Sequence, residues 1–266
     1  MTSSHLDLSQ TDIPRQIQGN FIAYMRLFAG LPGMVMEDSD VFWFISHKPA
    51  PGNVILRAHW PDDHVEKRID ALYTQIGQHL EAIDWLLFPG DQPADLGVRL
   101  EARGMPGGAA GHWLWMDLTQ LSDRPAVTDA FHIKQVVDDD MMREWTDASK
   151  AGFEAEVGWF YDAYARHGYG SEAFSLHYIG YLNDMPVTSG TLLDAGGGAT
   201  IYDISTLPSF RGQGFGSAIT YFLMQEIRSR GYTDTWIWSS SMAKSVYQKL
   251  GYVDADFGIR EHTWHK

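Results

Sequence analysis

Between a strand-like run, Thr200 to Thr206, and a helix-like run stopped at Gly231 lies the turn Arg211-Gly212-Gln213-Gly214-Phe215-Gly216-Ser217. Glycines at alternate positions let the backbone bend where a Cβ would forbid it. A helix that opens directly after such a bend aims several unbonded N–H groups, and the positive end of its dipole, at one point. The segment therefore predicts a strand–turn–helix corner in an α/β fold, with an anion site at the corner, most often for phosphate.

Three phosphate-binding patterns do not fit. A dinucleotide corner needs G-x-G-x-x-G, and counting from Gly212 the sixth position is Ser217; too little chain follows for the rest of a nucleotide domain. A P-loop needs Gly-Lys-Ser/Thr, which the turn lacks. A kinase loop needs a lysine strand and a catalytic Asp motif downstream, also missing.

The surrounding sequence predicts a mixed sheet with helices on its faces. Phe131 to Val137 reads as a strand, and Asp138 caps a helix that carries Met141, Met142, Trp145 and Ala148 on one side. A second helix is expected over 156–166. Strands 173–182 and 186–193 flank a hairpin turn at Asn183-Asp184, and Gly196-Gly197-Gly198 leads into the strand before the corner. Ile219, Phe222, Leu223 and Ile227 form a buried helical stripe. A strand at Thr233–Trp238, a helix at Ala243–Leu250 stopped by Gly251, and two strands around Phe257 and Thr263 complete the order β-α-α-β-β-β-α-β-α-β-β.

The corner is Arg-x-x-Gly-x-Gly, and some thirty residues later comes Ser240…Ala243…Val246-Tyr247-Gln248-Lys249-Leu250-Gly251-Tyr252. This pair of motifs resembles the GNAT superfamily of N-acetyltransferases, over roughly residues 130 to 266. The resemblance implies a GNAT fold for this half and acetyl-CoA, or another acyl-CoA, as donor. It matches Arg211, Gly212, Gln213, Gly214, Phe215, Gly216 and Ser217 to the turn that holds the pyrophosphate. Ile204, Ser205 and Thr206 match the strand whose main chain pairs with pantetheine and polarises the thioester carbonyl. Ser240 stands where the family commonly has an Asn that contacts the cofactor arm. Tyr247 matches the tyrosine that protonates the departing thiolate. The expected chemistry is transfer of acetyl to the amine of a small molecule by direct attack in a ternary complex. The alternative is a module that binds acyl-CoA as a signal without catalysing.

The general base stays open. The strand after the cofactor helix, where the family often has a Glu, offers Trp and Thr instead. Asp203, Glu154 and Glu156 are candidates, each also readable as a solvated or capping carboxylate. Trp159, Phe160, Tyr161 and Tyr164 fall in the region that covers the acceptor groove in this family; helix packing accounts for such residues equally.

The polar, Pro-containing stretch 121–129 reads as a linker between a domain at 1–122 and a catalytic domain at 123–266. The first half is a fainter version of the second: a strand at 52–60, a helix begun by Pro61-Asp62-Asp63 with Val65, Ile69, Leu72, Ile76 and Leu80 on one face, a strand at 85–88 and a helix at 95–103. Leu100 to Met105 echoes Tyr247 to Tyr252, which either a duplication or any strand–helix–Gly unit would produce. Without an Arg-x-x-Gly-x-Gly turn, this half resembles the degenerate amino-terminal half of two-domain GNAT proteins.

With 34 acidic against 20 basic residues, the net charge of −14 offers no Lys/Arg run for nucleic acid. The absence of cysteine excludes thiolate metal sites and disulfides and agrees with a cytoplasmic setting. Its 11 histidines form no helical pair backed by a carboxylate, so no metal site is expected. Met1 to Gln10 is polar, unlike a signal peptide, and the apolar runs are too short for a membrane span. Oligomeric state is not legible.

Overall fold

A computed structural model describes residues 6–61, 63–121, 123, 125–170 and 173–266. Asp62 of the expected helix start, Ser122 and Arg124 of the expected linker, and residues 1–5 of the polar start lie outside the described residues. The chain is mixed α/β and divides into two compact units, one of residues 6–111 with 256–266 and one of residues 112–255.

The amino-terminal unit runs β1 (Leu6–Asp7), α1 (Ile13–Leu27), β2 (Val35–Asp38), β3 (Val41–Ile45), β4 (Asn53–Ala58), α2 (Val65–Ile76), β5 (Ala82–Leu87), α3 (Leu96–Glu101) and β6 (Gly107–Ala109). The carboxy-terminal unit runs β7 (His112–Asp117), β8 (Phe131–Gln135), α4 (Asp139–Phe153), α5 (Trp159–Ala165), β9 (Ser175–Leu182) and β10 (Met185–Ala195). It continues through β11 (Gly198–Thr206), α6 (Phe215–Ser229), β12 (Asp234–Ser239), α7 (Lys244–Lys249) and β13 (Val253–Asp256). The last strand, β14 (Arg260–His265), returns to the first unit.

Local chemistry sets most of these boundaries. The Asp138 carboxylate accepts the Met141 N–H at 2.9 Å and starts α4, whose Met142, Trp145 and Ala148 are buried as the periodicity predicts. Asn183 and Asp184, with φ of 47° and 63°, form the primed hairpin turn between β9 and β10. In α2 the stripe Val65, Ile69, Leu72 and Ile76 faces the core, but the helix ends at Gly77, so Leu80 lies beyond it. The second helix is shorter than the expected 156–166, starting at Trp159, and leaves Glu156 outside it. Helix α1 was not anticipated, although Pro14 in its first turn and buried Ile13, Ile17, Phe21 and Met25 carry its signature.

The first unit has one sheet in the order β2-β3-β4-β5-β14-β6, with β4 and β5 parallel across α2. In the second unit β8, β9, β10 and β11 form an antiparallel sheet, while β7 lies between β12 and β13. Each half of the sequence thus contributes its last strand to the other unit's sheet. Trp115 pairs with Trp236 on one side and Val253 on the other; His262 pairs with Trp85 and Gly107. Leu114, Met116 and Leu118 are fully buried with Ile219, Leu223 and Ile237, which ties β7 to this core. A cut between 122 and 123 separates β7 and β14 from the sheets they complete.

Candidate active site

Strands β11 and β12 are parallel neighbours joined at one end only. The Thr235 hydroxyl donates to the Ala199 carbonyl at 2.8 Å, and the Thr200 hydroxyl donates to the Trp236 carbonyl. Beyond these bonds no ladder links the two strands among the described residues, so β11 is the edge of its sheet and the strands part as a fork. A bulge in β11 reinforces the parting. Register passes from Ser189↔Ser205 to Thr191↔Tyr202, leaving one extra residue on β11, and Asp203 has φ of 54°. Opposite the bulge, Gly190 lets β10 approach closely: a Cβ there would lie 2.5 Å from Ile204 Cδ1. Its carbonyl accepts the Trp145 indole N–H at 3.2 Å.

At the open end β11 runs into the glycine-rich corner. Pro208–Phe210 makes one 3₁₀ turn, Gly212 and Gly214 take φ of 75° and 89°, and α6 begins at Phe215. The Ala218 N–H donates to the Gly214 carbonyl at 2.9 Å as the first helical bond, so the N–H groups just before it project from the helix start. Phe215 is buried against Phe131 and Phe210, with ring centroids at 4.9 and 6.3 Å. It anchors the corner and presents its main chain, not its ring. Gly216 packs on the strand end, where a Cβ would sit 3.1 Å from Thr206 Oγ1. The Gln213 amide donates to the Ser209 carbonyl at 3.1 Å, and Ser217 is half-buried in the first turn.

Arg211 braces the corner. Its guanidinium donates to the carbonyls of Thr206 at 3.2 Å and Gly152 at 2.7 Å, and pairs with Glu154 at 3.0 Å. Ile204 packs toward the core, while the Ser205 hydroxyl is buried in a chain with Ser189 and Ser149 at 2.7 and 2.8 Å. Thr206 Oγ1 lies 3.2 Å from Thr188 Oγ1. These side chains are engaged inside the unit, and the outer main-chain edge of β11 has no ladder partner among the described residues. The Ser240 hydroxyl accepts the Ala243 N–H at 3.3 Å, just ahead of α7. Tyr247 is buried in the core, its ring 5.8 Å from that of Tyr252, and burial pushes its phenol above the usual range.

The carboxylates considered as bases have different surroundings. Glu154 is paired with Arg211 and Glu156 with Lys150. Asp203 accepts the Tyr164 hydroxyl at 2.5 Å. Phe160 and Tyr164 are fully buried around Trp145, so packing accounts for them; the Tyr161 hydroxyl accepts from Arg143 at 3.0 Å.

Outside the expected site residues stands His177, buried on β9 with its ring 4.1 Å from that of Tyr164 and Nδ1 2.9 Å from Thr191 Oγ1. Burial holds its pKa down at about 3, so it is neutral. The parallel stack of Trp113 on Trp238, centroids 5.4 Å apart, stands outside them too. Neither has a local motif; only strand pairing brings 113 to 238. Among the described residues no group of three His, Asp or Glu side chains is placed to hold a metal ion.

Residues 189–264 match the FR47-like protein family, a segment that contains the fork and the corner. The [ribosomal protein bS18]-alanine N-acetyltransferase of Haemophilus influenzae is 31% identical over 78 residues, 29% of this chain and 50% of that protein. The chain spans half or less of the length of the curated relatives it matches. A GCN5-related N-acetyltransferase from Kribbella flavida superposes with a TM-score of 0.61 at 16% identity, covering 92% of this chain and 94% of that one. A tandem GNAT protein from the clavulanic acid biosynthesis pathway gives 0.60 at 13% identity, over 92% and 87%. The likeness across nearly the whole chain gives this protein a GNAT fold, with an FR47-like segment at the fork and corner.

Proposed function

We propose that this protein is an acyl-CoA-dependent N-acetyltransferase that moves acetyl from acetyl-CoA to the amine of a small molecule by direct attack in a ternary complex. The observation that carries this reading is the fork between β11 and β12, where the edge of β11, with no ladder partner among the described residues, leads straight to the N–H groups at the start of α6. The N–H groups of residues 212–217 would receive the pyrophosphate. The main chain of Ile204, Ser205 and Thr206 would pair with the pantetheine arm and polarise the thioester carbonyl, a contribution of about 3 kcal/mol where an oxyanion develops. Ser240 would meet the cofactor arm from the β12 side. Tyr247, neutral in its buried setting, would protonate the leaving thiolate.

The amino-terminal unit would hold no cofactor. It repeats the order of the second, β4-α2-β5-α3-β6 beside β11-α6-β12-α7-β13, which supports reading it as a GNAT-like half. Its corresponding strands are closed where the second pair parts. Gln92 N–H donates to the Ala58 carbonyl at 2.9 Å and Trp60 N–H to the Gln92 carbonyl at 3.2 Å. Gln18 adds a bond from its amide to the Leu56 carbonyl at 2.7 Å.

The name of the Haemophilus influenzae relative specifies an alanine of a ribosomal protein, which favours a protein amine as the second reading of the acceptor. Calorimetry with acetyl-CoA, followed by thiol release across small amines and an alanine-initiated peptide, tests both. Tight binding with release on a small amine is the expected result. Release only with the peptide supports the second reading, and binding without any release supports a non-catalytic module.

A further inference from the structure

We infer that Gly152 is a positioning residue for the thioester: its missing side chain lets α4 press on β11 and hold the Thr206 N–H at the depth where it polarises the acyl carbonyl. This rests on the acetyltransferase reading and deepens it, by adding a residue outside the strand and the corner that fixes where the strand's donor stands.

The orientation of that N–H follows from the bonds around it. The Leu207 N–H donates to the Val187 carbonyl at 3.0 Å, so residue 207 turns its main chain toward β10. Along an antiparallel strand this direction alternates, and Thr206 turns outward. Two further bonds agree. The Ser205 carbonyl accepts the Thr188 hydroxyl of β10 at 2.5 Å, and a trans peptide sends the next N–H the opposite way. The Thr206 carbonyl accepts from Arg211 at 3.2 Å, outside the ladder. The Thr206 N–H therefore points from the outer edge of β11, which has no ladder partner among the described residues.

Gly152 lies buried in the last turn of α4. Its backbone is helical, with no positive φ to call for glycine, and an alanine would ordinarily favour the helix. Space calls for glycine instead. A Cβ on Gly152 would strike the Ser205 hydroxyl, lie 2.7 Å from Ser205 Cβ and come within 3.1 Å of Thr206 N. Carbon atoms pack at about 3.5–4.0 Å, so a side chain here would drive helix and strand apart by on the order of 1 Å. Rotating Ser205 gives no relief, because its Cβ is fixed to the main chain.

Hydrogen bonds hold the same contact closed. The Ser205 hydroxyl is joined through Ser189 to Ser149 of α4, at 2.7 and 2.8 Å, and the Gly152 carbonyl accepts from Arg211 at 2.7 Å. Helix α4 thus grips β11 at the one peptide whose carbonyl faces β10 and whose N–H faces outward. An edge strand has a sheet neighbour on one side only, so the helix supplies its second support. Placement matters because a donor to a developing oxyanion acts at short range, and an error of about 1 Å costs on the order of 10²-fold in rate.

The test is a mutant cycle of wild type, Gly152→Ala, Ser205→Gly and the double variant. It is read by the carbon-13 resonance of acetyl-CoA labelled at the thioester carbonyl, which moves downfield on accepting a hydrogen bond, with affinity measured by calorimetry. Bound to the wild type, the resonance should move downfield of its position in free acetyl-CoA. Gly152→Ala should remove more than half of that movement while binding acetyl-CoA within about threefold of wild type. Ser205→Gly deletes both atoms nearest to a Cβ on Gly152; it loses the serine chain and should keep only part of the movement. Adding Gly152→Ala to it should take away little more. A full movement in Gly152→Ala overturns the inference. So does a cost of Gly152→Ala as large in the Ser205→Gly background as in the wild type, or a Ser205→Gly variant with no movement, since the close approach is kept there. If Gly152→Ala fails to fold, the double variant is compared with Ser205→Gly: equal movements uphold the inference and a loss in the double variant overturns it. A wild type that binds acetyl-CoA without any movement overturns the inference alone, and one that does not bind overturns the acetyltransferase reading with it.

Discussion

Arg211 donates a hydrogen bond to the carbonyl oxygen of Gly152 at 2.7 Å, which ties the glycine-rich corner to the end of α4. The guanidinium also reaches the Thr206 carbonyl and the Glu154 carboxylate, so it spans the strand end and the helix end together. This makes Arg211 a brace for the corner's main chain. Arg211→Ala should weaken acetyl-CoA binding by about tenfold, through a loosened array of N–H groups, and lower the melting temperature. Arg211→Lys should recover only part, since an ammonium cannot reproduce the planar fork. Calorimetric affinities within twofold of wild type for both variants would contradict this role.

Gly214 tests the corner itself. Its φ of 89° is strained for any residue with a Cβ, although a Cβ would meet nothing nearer than Val127 at 3.5 Å. Gly214→Glu should cost on the order of 1–3 kcal/mol in strain and set a carboxylate at the proposed pyrophosphate site. We expect no measurable acetyl-CoA binding by calorimetry in a variant that remains folded by circular dichroism. Unchanged affinity would remove the pyrophosphate from this corner.

Tyr247→Phe separates donor binding from chemistry. The ring packs in the core, so Phe preserves the shape and deletes only the hydroxyl. Turnover should fall by about 10²-fold at unchanged acetyl-CoA affinity, the range for losing a general acid. Intact turnover would assign proton delivery to another group.

The corner was legible because its signal is local: glycines where φ must be positive, followed at once by helix periodicity. Asp138, the Asn183-Asp184 turn and the α6 stripe were readable for the same reason. The fork, by contrast, depends on a bulge at Asp203 and on which strand edges stay unpaired, neither of which has a sequence period. Strand exchange was hidden more deeply. Nothing in Trp113-Leu114-Trp115-Met116 distinguishes a strand that completes its own half from one that completes the other; only register with Trp236 and Val253 decides it. The Trp113–Trp238 stack was invisible for that reason too.

Strand exchange predicts how fragments behave. A chain cut to 123–266 lacks β7, which removes the strand between β12 and β13 and the buried side chains of Leu114, Met116 and Leu118. At about 1.5–3 kcal/mol for each large apolar side chain, the loss is comparable with the whole stability of a domain. The fragment 123–266 should be insoluble or lack a cooperative melt, whereas 112–255 should be the better behaved of the two. Equal cooperative unfolding of both by circular dichroism would show β7 to be dispensable.

Asp91 predicts a pH signature in the first unit. It is 7% exposed, and burial raises its pKa from 3.8 to about 7 in spite of hydrogen bonds from the Phe88 N–H and the Gln18 amide. Between those values the folded state holds a proton that the unfolded chain has released. Stability from this group is therefore complete below about pH 4 and is lost as pH rises through about 7. The full span corresponds to something on the order of 4 kcal/mol. His177, held down at about 3 by burial, works in the opposite sense, since its neutral folded form resists the proton that the unfolded chain takes up as pH falls below about 6.5. The wild-type profile mixes the two, and the difference between wild type and Asp91→Asn isolates the first. Denaturant unfolding from pH 4 to 8 should show that difference moving steadily in favour of the Asn variant and levelling off above about pH 7. A difference that stays constant across the range would mean that Asp91 is ionised throughout, with its charge held by the Gln18 and Phe88 hydrogen bonds.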